Sequence, residues 1–241
     1  MVRTQQGPRS RYREQTRSEI KEVALQQLAD GGVGALALTR IAKEMGLSGP
    51  ALYRYFASRD DLLSALIRDA YDDAAAAMTE AAQGASAAAR SPRARLHSLA
   101  DAYRAWAVGE PHRYLLIQGA PVPGYVAPDD TLDRARAVLG PFLAVFADGT
   151  PGTGVAAVVA EMTTWLGADE AVGAWVATYA PAAAGDTGRS AQALAGAVLA
   201  WAQLHGSVGL EAAGQFAGMG HSGATLLRAQ AEMLADAFEL K

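Results

Sequence analysis

LALTRIAKEMGLSGPALYRYFASRDDLL, residues 36–63, reads as a helix, a tight turn, a second helix and the start of a third. Ile41, Ala42 and Met45 place apolar groups on one face at helical spacing. Gly46 supplies the positive φ that a sharp turn between helices requires. Ser48 is a natural cap for the next helix, and Pro50 fits its first turn, where the missing N–H costs nothing. Leu52 and Phe56 point inward, which leaves Ala51, Tyr53, Arg54 and Tyr55 on the outer face. Ala42 and Gly46 with Leu52 have helix-turn-helix spacing, the small alanine lying where the second helix crosses the first. Ser58 with Asp61 forms a capping-box pattern for a further helix, and Asp60 and Asp61 suit its positive end.

An ordinary helical corner would give the same inner face. The outer face argues against it, because an arginine between two tyrosines suits a groove of bases and phosphates better than a core. On Ile41-Ala42, Gly46, Leu47-Ser48, Ala51-Leu52-Tyr53, Phe56 and Ser58–Leu63, the segment resembles the N-terminal DNA-binding domain of the TetR family of transcriptional regulators. The resemblance covers about residues 15 to 65. It implies a DNA-facing set of Arg40, Ser48, Gly49, Ala51, Tyr53, Arg54, Tyr55 and Arg59. Arg54 would contact a base and Tyr53 and Tyr55 phosphates, with the division left open; Arg40 and Arg59 would sit beside phosphates. Lys43 reads as solvated. Two departures stand out: Ala37 replaces the family's usual capping Thr, and Arg59 its usual Lys.

Charge agrees with this division. The net charge is −4, yet residues 1–59 hold ten Lys or Arg against five acids. That segment is therefore +5 and the remainder −9. A basic end on an acidic body suits a protein that meets a polyanion with one end only. With no Cys among 241 residues, disulfides and thiolate metal sites are excluded, which fits a reducing cytoplasm. The apolar runs are broken by charge, Gly or Pro, so no membrane span is expected, and the Arg-rich start lacks a secretory apolar stretch. The alanine-rich composition favours helix throughout.

Residues 1–13 carry four arginines with Gly and Pro and read as a disordered basic arm, either a solvated tail or a strand of charge along the phosphates. The resemblance implies a helix-turn-helix domain over residues 14–65 and a helical effector-binding and dimerisation domain over 66–241. The first helix is expected from Gln15 to Ala29, ended by Gly31-Gly32. The helix after Ser58 runs to about Ala82, too long for the DNA-binding unit alone, and is read as its mechanical link to the body. Further helices are expected near Pro92–Gly109, Glu110–Gln118, Asp129–Phe146 with a break at Gly140-Pro141, Val155–Leu166, Asp169–Tyr179, Ser190–Val208, a short piece at Leu210–Phe216, and Gly223–Leu240. Residues 119–130, GAPVPGYVAPDD, contain too much Pro and Gly for a helix.

In the back half, Trp201-Ala-Gln-Leu-His205-Gly206 followed by Leu210-Glu211 resembles the WHG-type ligand-binding domain of some TetR-family regulators. Tyr114 and the loop Pro121–Pro128 are similar to a loop of that domain. The candidate ligand wall is Tyr103, Trp106, Tyr114, Gln118, Met162, Trp165, Trp201 and His205; such aromatics, taken singly, are more often core than ligand wall. His205 reads as structural, as a dimer contact or as a ligand contact. The stripes of residues 190–208 and 223–240 are expected to pair two copies through Val198, Trp201, His205, Leu226, Leu227 and Leu234.

No catalytic signature is present: four scattered histidines have no metal-ligand spacing, and no phosphate-binding glycine pattern occurs. The reading is an all-α homodimeric regulator without cofactor. It would bind a pseudo-palindromic operator in double-stranded DNA and, as a repressor, be released by a small apolar effector. The competing reading is a helical small-molecule carrier whose helix-turn-helix is a protein–protein surface.

Overall fold

The computed structural model of the chain describes residues 7–84, 90–118 and 122–241. Among them are eleven α-helices and no strand. The first domain contains α1 (Pro8–Gly31), a short turn of tighter helix at Val33–Ala35, α2 (Leu38–Glu44) and α3 (Gly49–Tyr53). The long α4 (Arg59–Gln83) leads into α5 (Pro92–Gly109), α6 (Pro111–Gln118), α7 (Thr131–Phe146), α8 (Ala156–Ala168), α9 (Glu170–Tyr179), α10 (Thr187–Ala212) and α11 (Gly223–Ala237).

The local signals act as expected in the first domain. Gly46 turns the chain at φ +66°, and Leu47 donates its N–H to the Ala42 carbonyl at 2.8 Å. The Ser48 hydroxyl accepts from Ala51 N–H at 3.3 Å and caps α3. Ser58 accepts from Asp61 N–H at 3.0 Å, while the Asp61 carboxylate reaches back to Ala57 N–H at 2.9 Å. Ile20, Ala24, Ile41, Leu52, Phe56, Leu62 and Leu63 close the core between the four helices. Ala37 makes no side-chain cap for α2. The buried Gln27 of α1 instead fixes the backbone at the helix start, accepting the N–H of Ala37 itself at 3.1 Å.

The start of the chain departs from the arm expected over 1–13. Residues 8–13 are the first turns of α1, nucleated by Pro8 at the position where its missing N–H is harmless. The helix is then held by Thr16 Oγ1 on the Tyr12 carbonyl and by Arg17, whose guanidinium donates to the Tyr55 carbonyl at 2.5 Å and lies over the Phe56 ring. Residues 1–6 of the expected arm lie outside the described residues.

In the second domain α10 is the central element, packed on α5, α6, α7, α8 and α11. Its length and hydropathy would suffice to cross a membrane, but half of its most apolar window is buried within the bundle. The helix runs on to Ala212, absorbing part of the separate piece expected at Leu210–Phe216. Helix α7 likewise runs unbroken through Gly140-Pro141, where a break was expected. Packing outweighs the lost hydrogen bond: Gly140 has no Cβ, and the Tyr179 ring occupies that space. Across the same face, Trp175 donates its indole N–H to the Arg136 carbonyl at 2.9 Å, so this tryptophan is a core strut. The buried Gln192 seals the end of α7 by donating to the carbonyls of Phe146 and Gly149, each at 2.7 Å. Phe146 meets Phe238 edge to face at 4.9 Å.

Helix α11 corrects the expected dimer surface. Leu227 and Leu234 are 2% and 4% exposed within one protomer, packed with α5 and α10, and Leu226 is half-buried. Arg93 of α5 locks this packing by pairing with Glu232 and Asp236 and by donating to the Leu240 carbonyl. An apolar stripe says that a helix is covered, without saying by which chain.

Gly196 of α10 lies against Phe146, and a Cβ there would overlap the base of that ring. Gly196→Ala therefore forces Phe146 away from Phe238. The expected outcome is a loss of about 1–3 kcal/mol, seen as a drop in Tm of several degrees. An unchanged Tm would show that the ring relocates freely.

Candidate functional site

Two places bring together the side chains singled out above. The first is the outer face of α3. Tyr53 is 51% exposed, and Arg54, Ser48 and Arg40 are also exposed, while Gly49 and Ala51 are half-exposed. Tyr55 is half-buried against the core and does not stand out with Tyr53 as expected. Its ring instead helps line a groove of about 540 Å³ between α3 and the first turns of α1. Arg9, Tyr12 and Arg13 form one wall, with Leu47, Ala51, Arg54 and Tyr55 opposite. Three guanidinium groups thus rim one concavity, with exposed backbone nearby at the α3 start. Arg9 and Arg13 were missed as part of this set because their segment read as an arm; Pro8 was the signal that a helix begins there.

Arg59 belongs elsewhere. Its Nε donates to the Leu36 carbonyl at 3.1 Å and its NH2 to the Val33 carbonyl at 2.7 Å. The guanidinium braces the loop that leads into α2 and is engaged on the protein, which removes it from the expected phosphate-contacting set. A fork of donors suits two carbonyls at once, and the family's usual Lys would not match it.

The second place lies between α5, α6 and α10. Tyr103 is the hub: its ring centroid is 5.8 Å from Trp106, 6.1 Å from Tyr114 and 5.8 Å from Trp201. Trp106 and Tyr114 meet at 6.1 Å, and Trp201 stacks on His205 at 3.8 Å. Tyr103 and Tyr114 are each 1% exposed. Yet the hydroxyls of Tyr103 and Tyr114, Trp106 Nε1 and Gln118 Nε2 are buried without a hydrogen-bond partner in the protein, and His205 Nδ1 has near it only the Trp201 carbonyl of its own helix, outside good hydrogen-bonding geometry. Gln118 lies close enough to act on the Tyr103 hydroxyl, but not at hydrogen-bonding geometry. Burial raises both phenols, Tyr114 to about 12, and pushes His205 down to about 4, so His205 is neutral at neutral pH.

Six of the eight expected ligand-wall residues therefore converge. The other two, Met162 and Trp165, sit half-buried on α8, and among the described residues no ring contact joins Trp165 to the cluster. Among the described residues no group of His, Asp and Glu is arranged to hold a metal ion.

Helix α8 carries a further surface that the sequence did not signal. It has no fully buried residue, though its inner side packs on α10. Its outward positions Ala156, Ala160, Thr163 and Gly167 are small and follow one face. Thr163 and Thr164 turn their hydroxyls onto the Val159 and Ala160 carbonyls, which spends their polarity within the helix. Beside it α10 shows Val198, Trp201 and His205 half-exposed and Ala202 and Gly206 exposed.

Comparison with known proteins places both domains. A family model described as bacterial regulatory proteins, tetR family, matches residues 20–66, and one described as tetracyclin repressor-like, C-terminal domain, matches residues 96–234. The HTH-type transcriptional regulators Mb1846 of Mycobacterium bovis and Rv1816 of Mycobacterium tuberculosis are each 41% identical over 144 residues, 59% of this chain. The chain spans 61% of the length of these curated relatives. The crystal structure of protein SCO4313 is 43% identical with a TM-score of 0.69, over 95% of this chain and 100% of that one. A protein of unknown function from Rhodococcus sp. RHA1, 21% identical with a TM-score of 0.64 over 99% of each chain, shares the fold.

The bracing role of Arg59 has a measurable signature. Arg59→Ala leaves two loop carbonyls short of a charged donor and is expected to cost about 1–3 kcal/mol of stability. Because the guanidinium is engaged on the protein, the salt dependence of any nucleic-acid binding should keep its slope. A shallower slope, with stability unchanged, would return Arg59 to the phosphates.

Proposed function

This chain belongs to the tetR family of bacterial regulatory proteins, and we propose that it acts as a homodimeric repressor, released from its operator when a small, largely apolar molecule enters the aromatic cluster of the second domain. What carries the DNA part is the α1–α3 groove: Arg9, Arg13 and Arg54 rim one concavity at the basic end of an otherwise acidic chain. In this reading α3 enters the major groove with Arg54 and Tyr53 facing base edges and phosphates. Arg40 and the start of α1 take neighbouring phosphates. Ser48 and Gly49 bring backbone close to the DNA at the start of α3. The cytoplasm is the compartment this function requires.

Two such helices must stand about one turn of DNA apart to read a pseudo-palindrome, so a second copy is part of the proposal. The face left for it is α8 with the adjoining strip of α10, Val198, Trp201, Ala202 and His205, while Leu227 and Leu234 stay inside the protomer. Small side chains on α8 let two backbones approach closely. A molecule that binds better to a dimer with the wrong helix spacing lowers DNA affinity by that difference in affinity and no more.

A gel shift with the DNA upstream of the protein's own gene separates this reading from the carrier alternative, since a carrier gives no sequence-dependent shift. Arg54→Ala is expected to cost about 1–3 kcal/mol per half-site and to relax sequence choice. Unaltered affinity and preference would remove α3 from the groove.

Ala160→Glu tests the dimer face. The added side chain and charge on the exposed side of α8 are expected to yield folded monomers in sedimentation, whereas Met233→Glu on the exposed side of α11 should leave assembly intact. The opposite pattern would move the interface back to α11.

A further inference from the structure

The aromatic cluster holds more information than its apolarity. Four polar atoms of the cluster are buried without protein partners: the hydroxyls of Tyr103 and Tyr114, Trp106 Nε1 and Gln118 Nε2. Leaving such groups unbonded in a core is costly, so a site that keeps several of them is built for something that bonds them. Their chemistry is lopsided. Trp106 Nε1 and Gln118 Nε2 can only donate, and both tyrosine hydroxyls can donate. The demand is for acceptors.

The site also lacks charge. The groups acting on the Tyr103 hydroxyl are Tyr114, Tyr71 and Gln118, all uncharged at neutral pH. His205 answers to burial and to the Trp201 carbonyl of its own helix. The ionic neighbours in sequence are spent elsewhere. Arg104, beside Tyr103, holds Glu211 with two bonds at 2.7 and 2.5 Å. Arg113, beside Tyr114, pairs with Asp73 and Glu110. A carboxylate or phosphate would be desolvated here without a counter-ion. A cation would meet ring faces, a favourable contact, but would leave the donor-only nitrogens unbonded and find no carboxylate. Walls made of four rings favour a flat ligand.

We infer that this site takes an uncharged, flat, ring-bearing molecule with at least two oxygen acceptors, of the ketone, quinone or lactone class. The inference rests on the reading of this cluster as the effector site and narrows that reading to one ligand chemistry. The acceptors lie towards Trp106, Gln118 and the two hydroxyls, and the rings of Tyr103 and Trp201 form the apolar walls.

Four probes of similar size and flatness separate the alternatives: xanthone (neutral, two oxygen acceptors), anthracene (neutral, none), anthracene carboxylate (anion) and acridine orange (cation). Each is titrated into the full chain at neutral pH, with quenching of tryptophan emission as the readout; Trp106 and Trp201 are in the cluster. Xanthone is expected to bind at least ~10-fold tighter than the other three. Tyr103→Phe combined with Gln118→Leu should then bring xanthone down to the affinity of anthracene while leaving anthracene itself unchanged. A charged probe binding tightest overturns the inference and leaves the effector-site reading standing. So does a double variant that holds xanthone as tightly as the unaltered chain. If none of the four quenches, the cluster is ordinary core, and both the inference and the effector-site reading fall. The comparison among probes on the unaltered chain stands even if the double variant does not fold.

Discussion

Helix α4 carries one continuous hydrophobic core from the first domain into the second, and the arrangement of both domains follows from that. Its first turns bury Leu62, Leu63 and Leu66 against α1 and Phe56; its later turns bury Ala70, Tyr71, Ala74 and Met78 against α5, α6 and α7. The helix is about 37 Å long at the usual rise, with no Gly or Pro from Arg59 to Gln83 to soften it. Its acidic face is pinned on several sides. Asp69 holds Lys21 of α1, Asp72 holds Arg134 of α7, Asp73 holds Arg113 of α6, and Arg68 holds Asp130 at the start of α7. These pairs are partly exposed, so each adds little to stability. Together they fix the angle at which α4 leaves the bundle, and hence where α3 points.

Local signals were legible because the atoms that satisfy them are near in sequence. Ser58 and Asp61 cap α4 across three residues, Gly46 turns the chain by its own dihedral, and Leu52 and Phe56 face inward by helical period. Pro8 is equally local, but the four arginines of residues 1–13 give the segment the composition of a solvated tail and mask the helix-start signal. In Arg59 the charge was legible and its destination was not: the carbonyls of Val33 and Leu36 lie over twenty residues away and come within reach only once α1, α2 and α4 have packed. The bond from Ala37 N–H to Gln27 was hidden for the same reason.

The second domain shows a different limit. A stripe such as Leu227, Ala231 and Leu234 states that a helix is covered, and α5 and α10 of the same protomer are the cover. Helix α8 failed in the opposite direction: AAVVAEMTTWLGA is apolar nearly all round, so there was no period to read, although its outward side is uncovered in the protomer. Six of the expected wall residues lie together, since long aromatic side chains on three neighbouring helices meet almost wherever those helices cross. The orphaned polar atoms among them depend on side-chain geometry that no spacing encodes.

The effector site proposed here carries no charge, and that constrains how it could act. A charged ligand could weaken DNA binding by changing the field at the basic end; an uncharged one leaves that field as it was, and its influence must travel as displacement. The route is short in this fold. Tyr114 of the cluster is adjacent on α6 to Arg113, which grips Asp73 of α4. The neighbouring residues His112, Leu115 and Leu116 face Leu28, Gly32 and Val33 at the end of α1. One eight-residue helix therefore touches the ring cluster with one face and both the linking helix and the DNA-binding domain with the other. A ligand that shifts Tyr114 by the thickness of an added ring cannot do so without moving one of these contacts. Cores as closely packed as this one change by switching between arrangements more readily than by yielding gradually.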